Sequence, residues 1–284
     1  MDAVPFSFVE CVLLSLHSKN ETDQLDNASW SSIGKRLSSR QSYVAIMFKN
    51  DSGICCNFRD FSTRELVSFD EIKAAKDSSL AGVWIRNEHT LNHTITMDFN
   101  SFETNLLPFL LSRLVPTAYL SILQPGPIAE MLMARLLERR GQNCLRSVHF
   151  VYCGQLSVDF LQNQSHENRF LNSVSLSGDH WPSEILINVR RLLLRKQISL
   201  QISSPTIDFE FARGIVDYWK LHRGIKRSFF FTPNFDFRQF GRFMKRDPDS
   251  SYRYNLVLPM ANAVLNVYRY VSTADRFLIF ISYE

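Results

Sequence analysis

The chain has 284 residues, 45% of them hydrophobic and 21% charged, a balance that excludes a largely disordered protein and allows one large domain or two smaller ones. Its net charge of +4 comes from basic residues spread along the chain, without the concentrated basic face of a nucleic-acid binder. No run of about 18 apolar residues occurs that would span a membrane.

Five cysteines (Cys11, Cys55, Cys56, Cys144 and Cys153) are odd in number and form no Cys-x-x-Cys pair, so neither a disulfide framework nor a zinc site is expected. Met1 to Leu16 is apolar, but Asp2 stands where a signal peptide carries a positive charge, Glu10 interrupts the run, and no small-residue cleavage site follows. A cytoplasmic or nuclear protein is expected. The Asn-x-Ser/Thr triplets at Asn20, Asn27, Asn50, Asn92 and Asn163 would carry no sugar there.

Residues 1–41 read as short helices. Val9, Val12, Leu13 and Leu16 recur at spacings of three and four, which gives a helix one apolar face. Some 40 residues bury little surface alone, so this segment should pack on the rest of the chain or on a partner. Residues 42–99 read as strands. Tyr43–Phe48 and Ile54–Phe58 flank the turn cluster Lys49-Asn50-Asp51-Ser52-Gly53, a hairpin pattern. A second pair, Ala81–Ile85 and Thr90–Phe99, flanks Arg86–His89. Between the pairs, Ser68 with Glu71 three residues later predicts a capped short helix over 68–76.

Residues 100–245 carry a repeat. Strand-like runs fall at Tyr119–Ile122, Val148–Tyr152, Val174–Ser177, Ile198–Ser203 and Phe229–Thr232. With Leu120, Val148, Val174, Leu200 and Phe229 taken as equivalent, the spacings are 28, 26, 26 and 29. Helical stripes lie between them: Ile185, Leu186, Val189, Leu192 and Leu193, then Phe209, Ala212, Ile215, Val216 and Trp219. Phe237, Phe240 and Phe243 recur every third residue. This period is that of leucine-rich-repeat-like solenoids, although the Leu/Asn ladder of true leucine-rich repeats is missing. A conventional open α/β sheet built from the same elements is the alternative. Tyr252–Leu258, Val264–Val271 and Phe277–Tyr283 predict a β meander that caps the array.

No catalytic signature occurs: no G-x-G-x-x-G, no G-x-x-x-x-G-K-[ST], no G-x-S-x-G and no H-E-x-x-H. No cofactor is expected, and the chain reads as a binding module rather than an enzyme. His89 and His93 lie in a β-like stretch, where residues four apart are too distant to share a metal. Ser177-Gly178-Asp179-His180 has the residue types of a hydrolase triad, but neighbours in sequence cannot form its geometry; a strand-to-helix turn is expected. Cys55 and Cys56 read as half-buried strand cysteines.

The N-terminus carries a resemblance. Val4-Pro5-Phe6, then Val9, Val12 and Leu16, Leu25, and Ser29-Trp30 place a Trp 25 residues after a hydrophobic-Pro pair, which resembles an F-box. With Tyr152-Cys153-Gly154-Gln155, Trp181-Pro182 and Asp217-Tyr218-Trp219-Lys220 further on, nearly the whole chain is similar to the F-box-like families expanded in roundworms. The resemblance implies a substrate-recognition adaptor of a Skp–cullin–F-box-type ubiquitin ligase. Pro5, Leu13, Leu16 and Trp30 would make or support the contact with a Skp-type linker protein, and the repeat array would hold a target protein. The alternative is a repeat-based interaction module with no ubiquitin link, its N-terminal helices packed on their own chain as a cap.

The expected fold is therefore α/β: a helical F-box-like segment over 1–41, then over 42–284 β hairpins, a β/α repeat array and a β cap. Because strand residues alternate faces, one set in the repeats is apolar (Leu120, Ile122, Val148, Phe150, Val174, Leu176, Leu200, Ile202, Phe229, Phe231) and should meet the helices. The alternate set includes His149, Val151, Ser175, Ser177, Ser199, Gln201 and Phe230. A sheet covered on both sides would be apolar on both, so this set predicts an open, target-binding face. A face that is merely solvated, or covered by the N-terminal β segment, is the competing expectation.

Overall fold

The computed structural model describes residues 41–75, 78–87, 92–139, 145–168, 170–194, 198–221, 228–248, 252–258, 263–270 and 276–283. Apart from Gln41, the expected F-box-like segment lies outside them, as do His89, Cys11 and Cys144. The chain is mixed α/β and divides into two compact units, Met1–Val148 with Asn168–Leu171 and His149–Glu167 with Asn172–Glu284.

In the first unit the expected hairpin forms. Strands β1 (Ser42–Asn50) and β2 (Gly53–Asp60) pair antiparallel from Asn50↔Gly53 to Tyr43↔Asp60. Gly53 takes φ 138°, and a Cβ there would come within 2.5 Å of the Met97 carbonyl oxygen, so the turn requires glycine. A two-residue strand β3 (Leu66–Val67) pairs with β2. The helix α1 (Phe69–Ala74) is closed by the capping box read from the sequence: the Glu71 amide donates to Ser68 Oγ and the Ser68 amide to the Glu71 carboxylate.

Strand β4 (Ser79–Ile85) runs parallel to β1. The short strand β5 (Ile95–Met97) pairs antiparallel with β2, not with β4, so the expected second hairpin does not form. The apolar run of β4 is shared instead between two parallel neighbours, β1 and β6 (Leu114–Ile122), and a strand with no edge has no ladder left for a hairpin partner. The expected strand residue Phe99 begins a helical stretch, α2 (Phe99–Ser101), a π turn (Phe102–Leu106) and α3 (Leu107–Arg113). Asp98 caps it, accepting from the Ser101 amide at 2.7 Å. A longer helix, α4 (Pro127–Glu138), follows β6. The sheet order in this unit is β6-β4-β1-β2-β3, with β5 also on β2.

Cys55 and Cys56 are fully buried rather than half-buried, because both faces of β2 are covered. Burial, with Cys55 beside it, pushes the Cys56 thiol far above its ordinary range. Cys153 is only partly buried. Iodoacetamide at neutral pH is therefore expected to label Cys153 on the order of 100-fold faster than Cys55 or Cys56, read by peptide mass spectrometry; equal rates would contradict the buried placement.

The second unit carries most of the elements read as a repeat. In chain order it contains the last three residues of β7 (Ser147–Val151), then α5 (Gln155–Glu167), β8 (Ser173–Ser177), α6 (Ile185–Leu193), β9 (Ser199–Ile207), α7 (Phe209–Leu221) and β10 (Ser228–Pro233). A 3-10 helix (Phe237–Arg242) and strands β11 (Lys245–Arg246), β12 (Arg253–Leu258), β13 (Ala263–Tyr270) and β14 (Arg276–Tyr283) follow. Their order across the sheet is β11-β12-β13-β14-β10-β9-β8-β7.

β8, β9 and β10 are parallel, and Val174, Leu200 and Phe229 stand in one register row. Residues read as equivalent from their spacing are thus neighbours across the sheet. β14 then joins β10 antiparallel and ends the parallel run. Ser177–His180 forms the turn leaving β8, with Gly178 at φ 88°. The three-residue Phe spacing is the 3-10 helix, whose three residues per turn set Phe237 and Phe240 on one side. Both pack edge-on against Phe277, at 5.0 and 6.1 Å between ring centroids.

Candidate functional site

Consecutive parallel strands β8, β9 and β10 step across the sheet in one direction. Right-handed crossovers that all step the same way put every connecting helix on the same face. The helices pack in sequence there. The Trp219 indole donates to the Leu193 carbonyl at 3.0 Å, and the Ser165 hydroxyl meets Asn188 Oδ1 at 3.5 Å. The strand residues of that face, Phe150, Val174, Leu176, Leu200, Ile202, Phe229 and Phe231, are all buried.

The alternate residues form the other face. Ser199 and Gln201 on β9 are exposed; His149 and Val151 on β7, Ser175 and Ser177 on β8, and Phe230 on β10 are half-buried. Ser175, Gln201 and Phe230 share one register row. Ser173, Ser199 and Ser228 share the next, where Ser228 Oγ donates to Ser199 Oγ at 2.8 Å. Ser199 is exposed and Ser173, Ser175 and Ser228 keep part of their surface, whereas the Ser177 hydroxyl at the end of β8 is fully buried. Pro5, Leu13, Leu16 and Trp30 lie outside the described residues.

Burial alone lowers the His149 pKa below its ordinary 6.5. Because the folded state resists the proton, the unfolded chain takes it up first as pH falls through about 6.5. The stability held above that pH is then lost towards the lower folded-state pKa. His149→Gln is expected to flatten the fall in urea midpoint between about pH 7 and about pH 5; an identical slope in both proteins would contradict this.

The face extends further than the repeats suggest. Phe230 lies opposite Leu278, and Ser228 opposite Phe280, on β14. Leu278 lies opposite Tyr268 on β13, and Tyr268 opposite Arg253 on β12. The Tyr268 and Phe280 rings stack at 5.4 Å and 16°. The Arg276 guanidinium lies 5.6 Å from the Phe230 centroid and that of Arg253 5.2 Å from Tyr268. Sequence reasoning missed this part because Phe277-Leu278-Ile279-Phe280 is apolar at every position. Only pairing with β10 tells one face from the other.

Among the described residues no three His, Cys, Asp or Glu side chains gather as a metal-ligand set, and no helix is long and apolar enough to cross a membrane. His93 sits in a turn at φ 67°. A cavity in the first unit, lined by Lys49, Gln124 and the start of α4, holds about 50 Å³, far below the ~300 Å³ at which small-molecule pockets begin. Against protein-family models, curated proteins and solved structures, the chain matches none.

Proposed function

We propose that the protein is a substrate-recognition adaptor of a Skp–cullin–F-box-type ubiquitin ligase. Its leucine-rich-repeat-like array holds a target protein through the strand face, and its N-terminal segment docks on the Skp-type linker through Pro5, Leu13, Leu16 and Trp30. Supporting the target-binding half is one observation: alternation along β8, β9 and β10 leaves Ser175, Ser199, Gln201 and Phe230 outside the helix-covered core. Small polar side chains there permit close approach of a partner, and Phe230 supplies an apolar anchor. The F-box resemblance supports the linker half.

Gln201→Ala combined with Phe230→Ala tests the target half. Proteins captured by the full-length chain, and their ubiquitination in cells, are expected to fall by roughly 10-fold or more while linker binding is unchanged. Unchanged capture would move the target site elsewhere. The same face, taken alone, also fits a repeat-based interaction module with no ubiquitin link.

A further inference from the structure

The strand face of the second unit is chemically graded. At the β7–β9 end it is neutral, with Ser175, Ser199 and Gln201 in its rows. At the meander end it carries Phe230, Leu278, Phe280 and Tyr268 together with Arg253, Arg276 and Lys245, the last placed on this face by its pairing with Asn255. No strand position of this face holds a carboxylate. Asp247 beside it is taken up by Arg253, at 3.4 Å. Among the described residues no carboxylate reaches Arg276 or Lys245.

From this geometry we infer that the meander end of the strand face binds an acidic segment of the target protein that also carries apolar side chains. The inference rests on reading this face as the target-binding surface and names the chemistry it selects. Three observations carry it. The Arg276 guanidinium is held over Phe230, 5.6 Å from the ring centroid; a guanidinium so placed loses less freedom on binding, and its N–H donors suit a carboxylate fork. Arg253 is fixed over Tyr268 by two donations to Asn266 Oδ1 at 3.1 and 2.7 Å and by its pairing with Asp247, so it frames the site and leaves the ligand's carboxylates to Arg276 and Lys245. Leu278 and Phe280 lie half-buried between these cations, where an apolar side chain of the ligand finds contact.

The charge is thus complementary to an acidic ligand. It does not suit single-stranded nucleic acid equally well, because base stacking needs open ring faces. Here the rings already stack on one another or under guanidinium groups.

The test is fluorescence anisotropy with the full-length chain and three probes: a labelled Glu-rich peptide that also contains Phe, its counterpart with Gln for every Glu, and oligouridine RNA. The Glu peptide is expected to bind at least ~10-fold more tightly than the Gln peptide, with an advantage that shrinks as salt rises. Arg276→Gln should weaken it roughly 5-fold or more. Arg276→Lys, which keeps the charge and loses the fork, should weaken it by less. Arg213→Gln removes the same charge from the exposed side of α7 and should change nothing. Equal affinity for the two peptides, equal effects of the Arg276 and Arg213 changes, or tighter binding of oligouridine would overturn the inference. Linker co-purification from the same preparation scores the adaptor reading separately: peptide binding without linker binding sinks that reading and leaves this one.

Discussion

Trp219→Ala is expected to destabilise the second unit by about 3–5 kcal/mol, the range for truncating a fully buried tryptophan. Trp219 has no solvent-accessible surface, and its role is double. Its ring is among the largest fully buried side chains of the protein. Its indole N–H caps the Leu193 carbonyl at the end of α6, one of the final carbonyls that no intrahelical amide can reach. Tyr218 does the same for the Leu194 carbonyl, at 3.3 Å. Trp219→Phe, which keeps most of the volume and leaves that carbonyl unpaired, should cost about 1–3 kcal/mol. Leu221, at the end of the same helix, is 78% exposed, so Leu221→Ala should stay within about 0.5 kcal/mol. Urea unfolding followed by circular dichroism reads all three; a Trp219→Ala cost near that of Leu221→Ala would refute the packing described.

Phe277→Ala is the second large effect, again about 3–5 kcal/mol, but its consequence is local. Phe277 is the apolar bolt between β14 and the rest of the unit. Its ring meets Phe231, Phe235, Phe237 and Phe240 at 5.8, 5.4, 5.0 and 6.1 Å. β14 is also the strand that brings Arg276 and Leu278 beside Phe230. Hydrogen exchange should therefore show β13 and β14 losing protection before β8 and β9 do, and binding of the Glu-rich peptide should fall with it. Uniform loss of protection across the unit would contradict this division.

Local signals in the sequence were legible because local physics produced them. Ser68 and Glu71 are three residues apart and close their own box. The hairpin turn at Gly53 is dictated by a backbone angle few other residues adopt. Val174, Leu200 and Phe229 could be matched by spacing because each crossover has nearly the same length, and they became register partners. What was misread depends on pairing over distance. Ala81–Ile85 and the strand after it look like a hairpin by proximity, but β4 lies between two parallel strands and β5 joins β2. The aromatic and cationic end of the strand face was missed for the same reason. A strand apolar at each position carries no mark of which parity faces outward until β10 and β14 are paired. For Pro5, Leu13, Leu16 and Trp30 the linker role rests on the resemblance.

Co-purification of the full-length chain with a Skp-type linker is the most direct measurement of the adaptor role. A stoichiometric complex is expected, weakened by roughly 30-fold or more in Trp30→Ala or Leu16→Asp, the effect of removing an interface anchor worth about 2 kcal/mol, while circular dichroism of the free chain is unchanged. Failure of the unaltered chain to bind the linker, or variants that unfold the whole protein, would contradict it and make the N-terminal segment a cap on its own chain.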